Sequence, residues 1–328
     1  MESHLPTSTR LDLVAELETF KINRIEFAEL LEGAFSQVPN SDLIDLKLLE
    51  ILNLVFSTKD ELLSGRETLN IVEQTESKAA ISLAKRAILA GIILRLSRSE
   101  DASATHLRSI WPMLYSAINE DSELPLIASL GSQGFLSIPF YFKGQGSDIS
   151  SILRLHFWHK SMFKDLEGNH VQSSIHSHRF HATSWILKGH ITDYSYNVSV
   201  ADHETDYCFF DLKWETSTSA RLDENKSFIE NNGIFADLGN QIVHTYQEGQ
   251  SYEIDCGVFH SSYVEFHQED SLLSTLFLFD AQKGIIKSGG VVGPANIERE
   301  ETIRHPFTDK ETYQLIESLN ELIKYDND

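Results

Sequence analysis

Residues 176 to 189 read HSHRFHATSWILKG, and the fold of the chain turns on how this stretch is read. His176 and His178 are two apart, and on a β-strand residues i and i+2 share a face, so both imidazoles project into one space. The same period carries Phe180, Ala182, Ser184 and Ile186 to that side, a small-to-medium apolar lining with the imidazoles at one end. His181 falls on the other face. A third imidazole is offered far downstream by GQSYEIDCGVFH, in which Gly249, Asp255 and Gly257 mark a turn leading to His260. Joining a near pair to so distant a residue requires a fold that brings the chain back on itself.

Working outward, the sequence after about residue 135 consists of short β-rich runs: 135–142, 151–158, 181–200, 207–214, 233–238, 251–254, 260–266 and 272–279. Many short strands separated by Gly, Asn and Asp turns predict an antiparallel sandwich or barrel. Polar residues 216–226 read as a loop. Upstream, apolar residues recur at three and four, as in Leu13, Leu17 and Phe20, then Phe27, Leu30, Leu31 and Phe35, which predicts helices from about 10 to 120. The segment starting near Ser77 places Ile81, Ala84, Ile88 and Ile92 on one face. Its apolar run Ile88 to Leu94 is flanked by Lys85, Arg86 and Arg95, the pattern of a buried helix. Gly and Pro cluster between Glu123 and Gly146, where the organisation changes. The expected architecture is α+β: a helical region 1–125, a connecting segment 126–145, a β-barrel 146–295, and a tail 296–328 with a helix from about Asp309 to Ile323 that returns to the helical region.

The chain has 328 residues, 41% of them apolar, enough for a sizeable core. With 27 Lys and Arg against 49 Asp and Glu the net charge is -22, which opposes binding to phosphate backbones and anionic membrane surfaces. Neither nucleic acid nor membrane is an expected partner. The N-terminal MESHLPTSTRLD lacks the basic patch and apolar run of a secretory signal, and no stretch reaches the length of a membrane span. Two cysteines, Cys208 and Cys256, are too few for a disulfide framework, so a reducing cytoplasm is the expected setting. The glycosylation sequons at Asn197 and Asn225 have no secretory context.

Three neutral imidazoles suit Fe, Zn, Ni, Cu or Co and leave up to three positions open on an octahedral ion. In spacing, the two stretches resemble the paired motifs of the cupin superfamily, small double-stranded β-helix barrels. The first motif, G-x5-H-x-H-x3-4-E-x6-G, aligns with His176, His178, Ala182 and Gly189; the second, G-x5-P-x-G-x2-H-x3-N, aligns with Gly249, Asp255, Gly257, His260 and Val264. There are four departures: His170 stands at the opening Gly, Ala182 at the Glu, Asp255 at the Pro and Val264 at the Asn. The resemblance covers roughly 135–290 and does not extend to the helices. It implies a metal held by His176, His178 and His260, with substrate or water occupying the position that the missing glutamate leaves.

This arrangement is similar to that of the thiol dioxygenases and some ring-cleaving dioxygenases, which implies Fe(II), O2 and a small chelating substrate. Zn, Ni, Mn, Co and Cu are the alternative metals, and pairing of barrels into a homodimer is part of the same expectation. Thiol dioxygenases hold the substrate carboxylate with an arginine on an earlier strand, and Arg154 in SILRLHFW is similarly placed. The alternative for Arg154 is a solvent-facing guanidinium.

Tyr252, within the second motif, and His244, which precedes it, join Arg154 as candidate catalytic groups. Against this, tyrosines such as 194, 196, 246 and 252, with Trp185, commonly fill a barrel, and His244 also reads as a core or surface histidine. His156, His159 and His190 read as packing or surface residues, His181 as a supporting or surface one, and Cys256 as a small buried hydrophobe. His267-x-Glu269 offers a His-x-acid pair, with only His305 after it. Three functions are open at this point: an Fe(II) dioxygenase or oxygenase; a non-redox Zn or Ni isomerase, lyase or hydrolase; and a non-catalytic ligand-binding or scaffold protein, favoured by the large helical part.

Overall fold

The computed structural model describes residues 9–10, 12–35, 44–58, 61–99, 105–119, 128–130, 135–144, 149–159, 175–214, 226–264, 272–303, 305–306 and 309–325. The register position of His170, residues 216–225 of the loop read at 216–226, and the pair His267 and Glu269 lie outside the described residues, and Lys226 opens a strand.

The N-terminal part runs β1 (Thr9–Arg10), α1 (Leu13–Thr19), β2 (Lys21–Asn23), α2 (Arg24–Phe35), α3 (Ile44–Val55), β3 (Leu62–Ser64), α4 (Gly65–Val72), α5 (Lys78–Ser97), β4 (Thr105–His106), a 3-10 turn (Leu107–Ile110) and α6 (Trp111–Asn119). The two- and three-residue strands pair as β1 with β4, in parallel, and β2 with β3. They are too short to leave a period-two signature, so the periodicity shows only the helices around them. Helix starts follow side-chain chemistry: Ser77 accepts from the Ala80 N–H to open α5, and Ser64 forms a reciprocal capping box with Glu67 to open α4. Residues Ile88, Leu89, Ala90, Ile92 and Ile93 are fully buried, so α5 is the central helix, apolar on every side.

The β-rich part comprises β5 (Ser129–Leu130), β6 (Leu136–Lys143), β7 (Ser151–His159), β8 (Ile175–Ser177), β9 (Phe180–Lys188), β10 (His190–Val200), β11 (Tyr207–Trp214), β12 (Lys226–Gln247), β13 (Ser251–Ile254), β14 (Phe259–Tyr263), β15 (Leu272–Ile285), β16 (Val291–Pro294), β17 (Arg299–Ile303) and β18 (His305–Pro306), followed by α7 (Asp309–Tyr325). They form two seven-stranded antiparallel sheets. One is ordered β13-β9-β15-β7-β6-β5-β18; the other is ordered β10-β14-β8-β16-β11-β12-β17, and β12 also pairs with β10, so six of its strands close a ring.

Strands extend beyond the expected barrel limits of 146–295. Of the segment read as a connection, Leu136–Lys143 is β6, and β17 and β18 lie in the tail. Of the Gly and Pro residues that suggested a linker, Pro139 lies inside β6, where the register with β7 shifts between Pro139 and Tyr141, and Gly144 follows the strand. The expected strand 233–238 is the middle of β12, a 22-residue strand beginning at Lys226. Its first residues pair with β11 and β17 and its last with β10, and Gly233, Asn240 and Gln241 interrupt the apolar pattern along it.

Period two assigns the faces of the first sheet. Leu153, Leu155, Phe157, Trp185, Leu276 and Leu278 pack in one core with α2, α5 and α6. Trp158, Ala182, Ile186, Tyr252 and Phe277 belong to a separate cluster on the opposite face. Trp185 therefore fills the boundary between helices and sheet and not a barrel interior, because it alternates with Ser184 and Ile186. Gly33 permits close approach at that boundary: a Cβ there would lie 2.3 Å from Cε2 of Tyr141 on β6. Arg98, capping α5, donates to both carboxylate oxygens of Asp280 on β15 at 2.6 and 3.0 Å, and Asp280 is buried. Helix α7 packs back onto α6, with Trp111 Nε1 donating to Asn320 Oδ1 at 3.3 Å. No helix among the described residues is long and apolar enough to cross a membrane.

Candidate metal centre

The chain enters the ring-forming sheet as β8, crosses at His178 and Arg179, and continues as β9 in the other sheet. His176 is thus on one wall, His178 at the crossing. Pairing of β14 with β8 sets His260 directly opposite His176. Gly257 has φ +84°, a left-handed conformation that glycine adopts without strain, and its turn feeds β14. On one face of the ring, Tyr196 pairs with Phe259, Val198 with Leu238 and Ile175 with Val292, forming a small apolar cluster. The alternate residues, His176, Asp193, Ser195 and His260, therefore share the other face.

The donor nitrogens of His176, His178 and His260 all lie within 4.8 Å of one another. Their ring centroids are 4.6, 4.9 and 4.9 Å apart. The Nε2 atoms of His178 and His260 are 2.9 Å apart. Two nitrogens bound at right angles to one ion at ~2.05 Å would be separated by ~2.9 Å, so the pair fits cis positions on an octahedral metal. Burial, and then the neighbouring imidazoles of His176 and His260, hold His178 well below its ordinary value of 6.5, leaving it neutral as a ligand must be. These three residues could hold a metal.

Asp193 completes the arrangement and was not singled out by spacing. Its Oδ1 accepts from His260 Nδ1 at 2.8 Å, and both residues are buried. Ser262 and Ser195 also donate to this carboxylate, each at 3.3 Å. A proton fixed on Nδ1 leaves the Nε2 lone pair of His260 directed at the other imidazoles. The one sequence signal was period: on β10, Asp193 falls at the buried positions with Ile191, an acidic residue where apolar ones are expected.

The first sheet supplies the facing wall. The ring of Phe279 lies 4.8 Å from that of His178, and Phe277 lies 5.9 Å from it. Arg154 is on this side, its Cζ 5.9 Å from the Phe279 centroid, and its charge is felt at His178 and His156. Ala182 is fully buried opposite Phe279 and Ile254, so no carboxylate enters from that position. Tyr252 is buried and stacks on Tyr246 at 4.4 Å. Burial, and then the Asp193 charge, push its phenol up, so it remains an O–H donor beside Ser184 and Ser262. His244 pairs with Asp193 in register but is exposed, its ring 6.0 Å from that of Tyr246. It stands at the rim and not among the three histidines.

Two readings of neighbouring residues change. His181 is neither at the surface nor against the metal ligands: it is buried, with Nε2 3.5 Å from both Glu253 and Asp255. Cys256 is partly exposed, whereas Cys208 is the buried thiol. Residue 256 lies in the turn ahead of β14, its thiol against β15, where a Cβ at Gly284 would lie 3.1 Å from Cys256 Sγ.

No family model and no curated protein matches the sequence. Among solved structures, the chain is similar to hydroxypropylphosphonic acid epoxidase from S. wedmorenis, with 9% identity over 78% of this chain and 98% of that one. The TM-score is 0.25, at which the two folds are not shown to be the same.

Proposed function

We propose that the chain is a metal-dependent enzyme of the cupin type, an Fe(II) dioxygenase or related oxygenase acting on a small chelating substrate and O2. The observation that carries this reading is the convergence of three histidines, one oriented by a buried aspartate, with no carboxylate among the ligands. When bound, the metal would supply activation of O2 or polarisation of the chelated substrate. His176, His178 and His260 would hold it, and Asp193 keeps the proton of His260 on Nδ1. Phe277, Phe279 and Ala182 exclude water from one side of the ligands. Arg154, on the same wall, orients an anionic substrate group through its guanidinium fork. Tyr252 holds its proton beside Ser262 and Asp193.

The test is elemental analysis of untagged wild-type protein and the His260→Ala variant, both purified without oxygen. The expected result is near-stoichiometric iron in the wild type, lost in the variant together with O2 consumption. Zinc or nickel in its place would move the assignment to the non-redox isomerase, lyase or hydrolase. A folded wild type that holds no metal would leave a binding protein.

A further inference from the structure

The histidine side of the first sheet carries a row of polar groups that the proposed chemistry does not use. Ser137 on β6, His156 on β7 and Thr275 on β15 are direct register partners, so their side chains stand side by side on one face. That face also carries Arg154, Trp158 and Phe277, and the Phe277 ring lies 5.9 Å from that of His178. All three polar residues are buried, at 6%, 5% and 1% exposure. Ser137 Oγ, His156 Nε2 and Thr275 Oγ1 have no hydrogen-bond partner among the described residues. Leaving three adjacent buried polar atoms unbonded is costly, and they do not bond one another.

Their surroundings are aromatic. The His156 ring lies 4.3 Å from Phe135, 5.0 Å from Phe277, on which it stacks, and 5.8 Å from Trp158. Phe277 in turn touches His178, so one ring separates the row from the metal ligands. Burial, and then the Arg154 charge, keep His156 neutral. Two hydroxyls and a neutral imidazole next to a guanidinium offer hydrogen-bond donors in a region of positive potential.

We propose that Ser137, His156 and Thr275 form a second anchoring point for the substrate, taking a carboxylate at the end remote from the metal. This rests on the metal-site reading for the other end of the molecule. The substrate class is then a short-chain acid whose chelating group and far carboxylate are separated by a few carbons, enough to pass the edge of Phe277.

The experiment compares wild type with Thr275→Val, which keeps shape and removes the hydroxyl, and His156→Phe, which keeps the aromatic packing. Each full-length protein is loaded with Fe(II) without oxygen, its metal content measured, and titrated calorimetrically with acetate, malonate, succinate and glutarate. In the wild type, one dicarboxylate should bind at least about ten-fold tighter than acetate. In both variants that preference should fall by about ten-fold or more, the loss of a hydrogen bond to a charged group, with metal content unchanged. An equal preference in wild type and both variants, with metal retained, would show that the row anchors nothing but water. If the wild type holds no metal, the proposed function fails separately. The same titrations on metal-free protein then decide the row: binding weakened in both variants supports it, and equal or no binding overturns it.

Discussion

Asp193→Asn isolates what the buried carboxylate does for the proposed metal site. In the wild type a 2.8 Å bond joins Asp193 Oδ1 to His260 Nδ1, with Ser195 and Ser262 donating to the same carboxylate. Asparagine preserves the volume but removes the negative charge, and its amide can present either face. With its oxygen toward Nδ1 the tautomer survives and a charge-assisted bond becomes a neutral one, about half as strong. With its NH2 toward Nδ1, the imidazole proton moves to Nε2 and blocks the lone pair that faces His178. Loss of a partner of this kind lowers metal affinity by about 10–100-fold, or ~1.4–2.7 kcal/mol. The assay is competition of Zn2+ and Fe2+ against a chromophoric chelator at fixed pH, with circular dichroism to confirm the fold. An unchanged metal affinity in a folded Asp193→Asn protein would refute the claim that this carboxylate orients a ligand.

Three further outcomes follow from the packing and charge. Arg98→Ala would strand the buried Asp280 carboxylate between helix and sheet; urea denaturation should show roughly 3 kcal/mol lost, and a change below ~1 would mean that solvent reaches Asp280 freely. Gly33→Ala forces a methyl into Tyr141, an overpacking cost of roughly 1–3 kcal/mol against about 1 returned by helix propensity, so a net gain in thermal stability would contradict the α2–β6 contact. His156 and His178 have native-state values held well below 6.5, by burial first, so the unfolded chain binds more protons as pH drops below about 6.5. Stability of the chelator-treated protein should therefore be flat in this contribution above pH 7 and fall from about 6.5 downward, by up to ~1.4 kcal/mol per pH unit for each histidine. His156→Phe should remove one histidine's share of the slope; an unchanged slope would count against a buried neutral His156.

Local spacing was enough to mark much of this protein. Buried helices announce themselves at three and four, and Ser77 ends the ambiguity at the start of α5 because its side chain caps the next turn. Positions 176, 178, 180, 182, 184 and 186 were legible as one inward series because a strand repeats every two residues. Ala182, Ile186 and Tyr252 duly share a cluster on that side. Trp185 was misread on its size, which suggested a barrel filler; period two sets it opposite Ser184 and Ile186, on the face that the helices cover.

The chain's own order, by contrast, is silent on which strands become neighbours. Asp193 meets His260 across 67 residues, and Arg98 meets Asp280 across 182. The row Ser137, His156 and Thr275 exists only because β7 lies between β6 and β15 in one register. A one-residue slip would turn each of those side chains to the helices. Residue type and period thus determined which groups could face a common interior, because they act within a few bonds; which of them met there was decided by strand order and register, which depend on burying two sheets and seven described helices together.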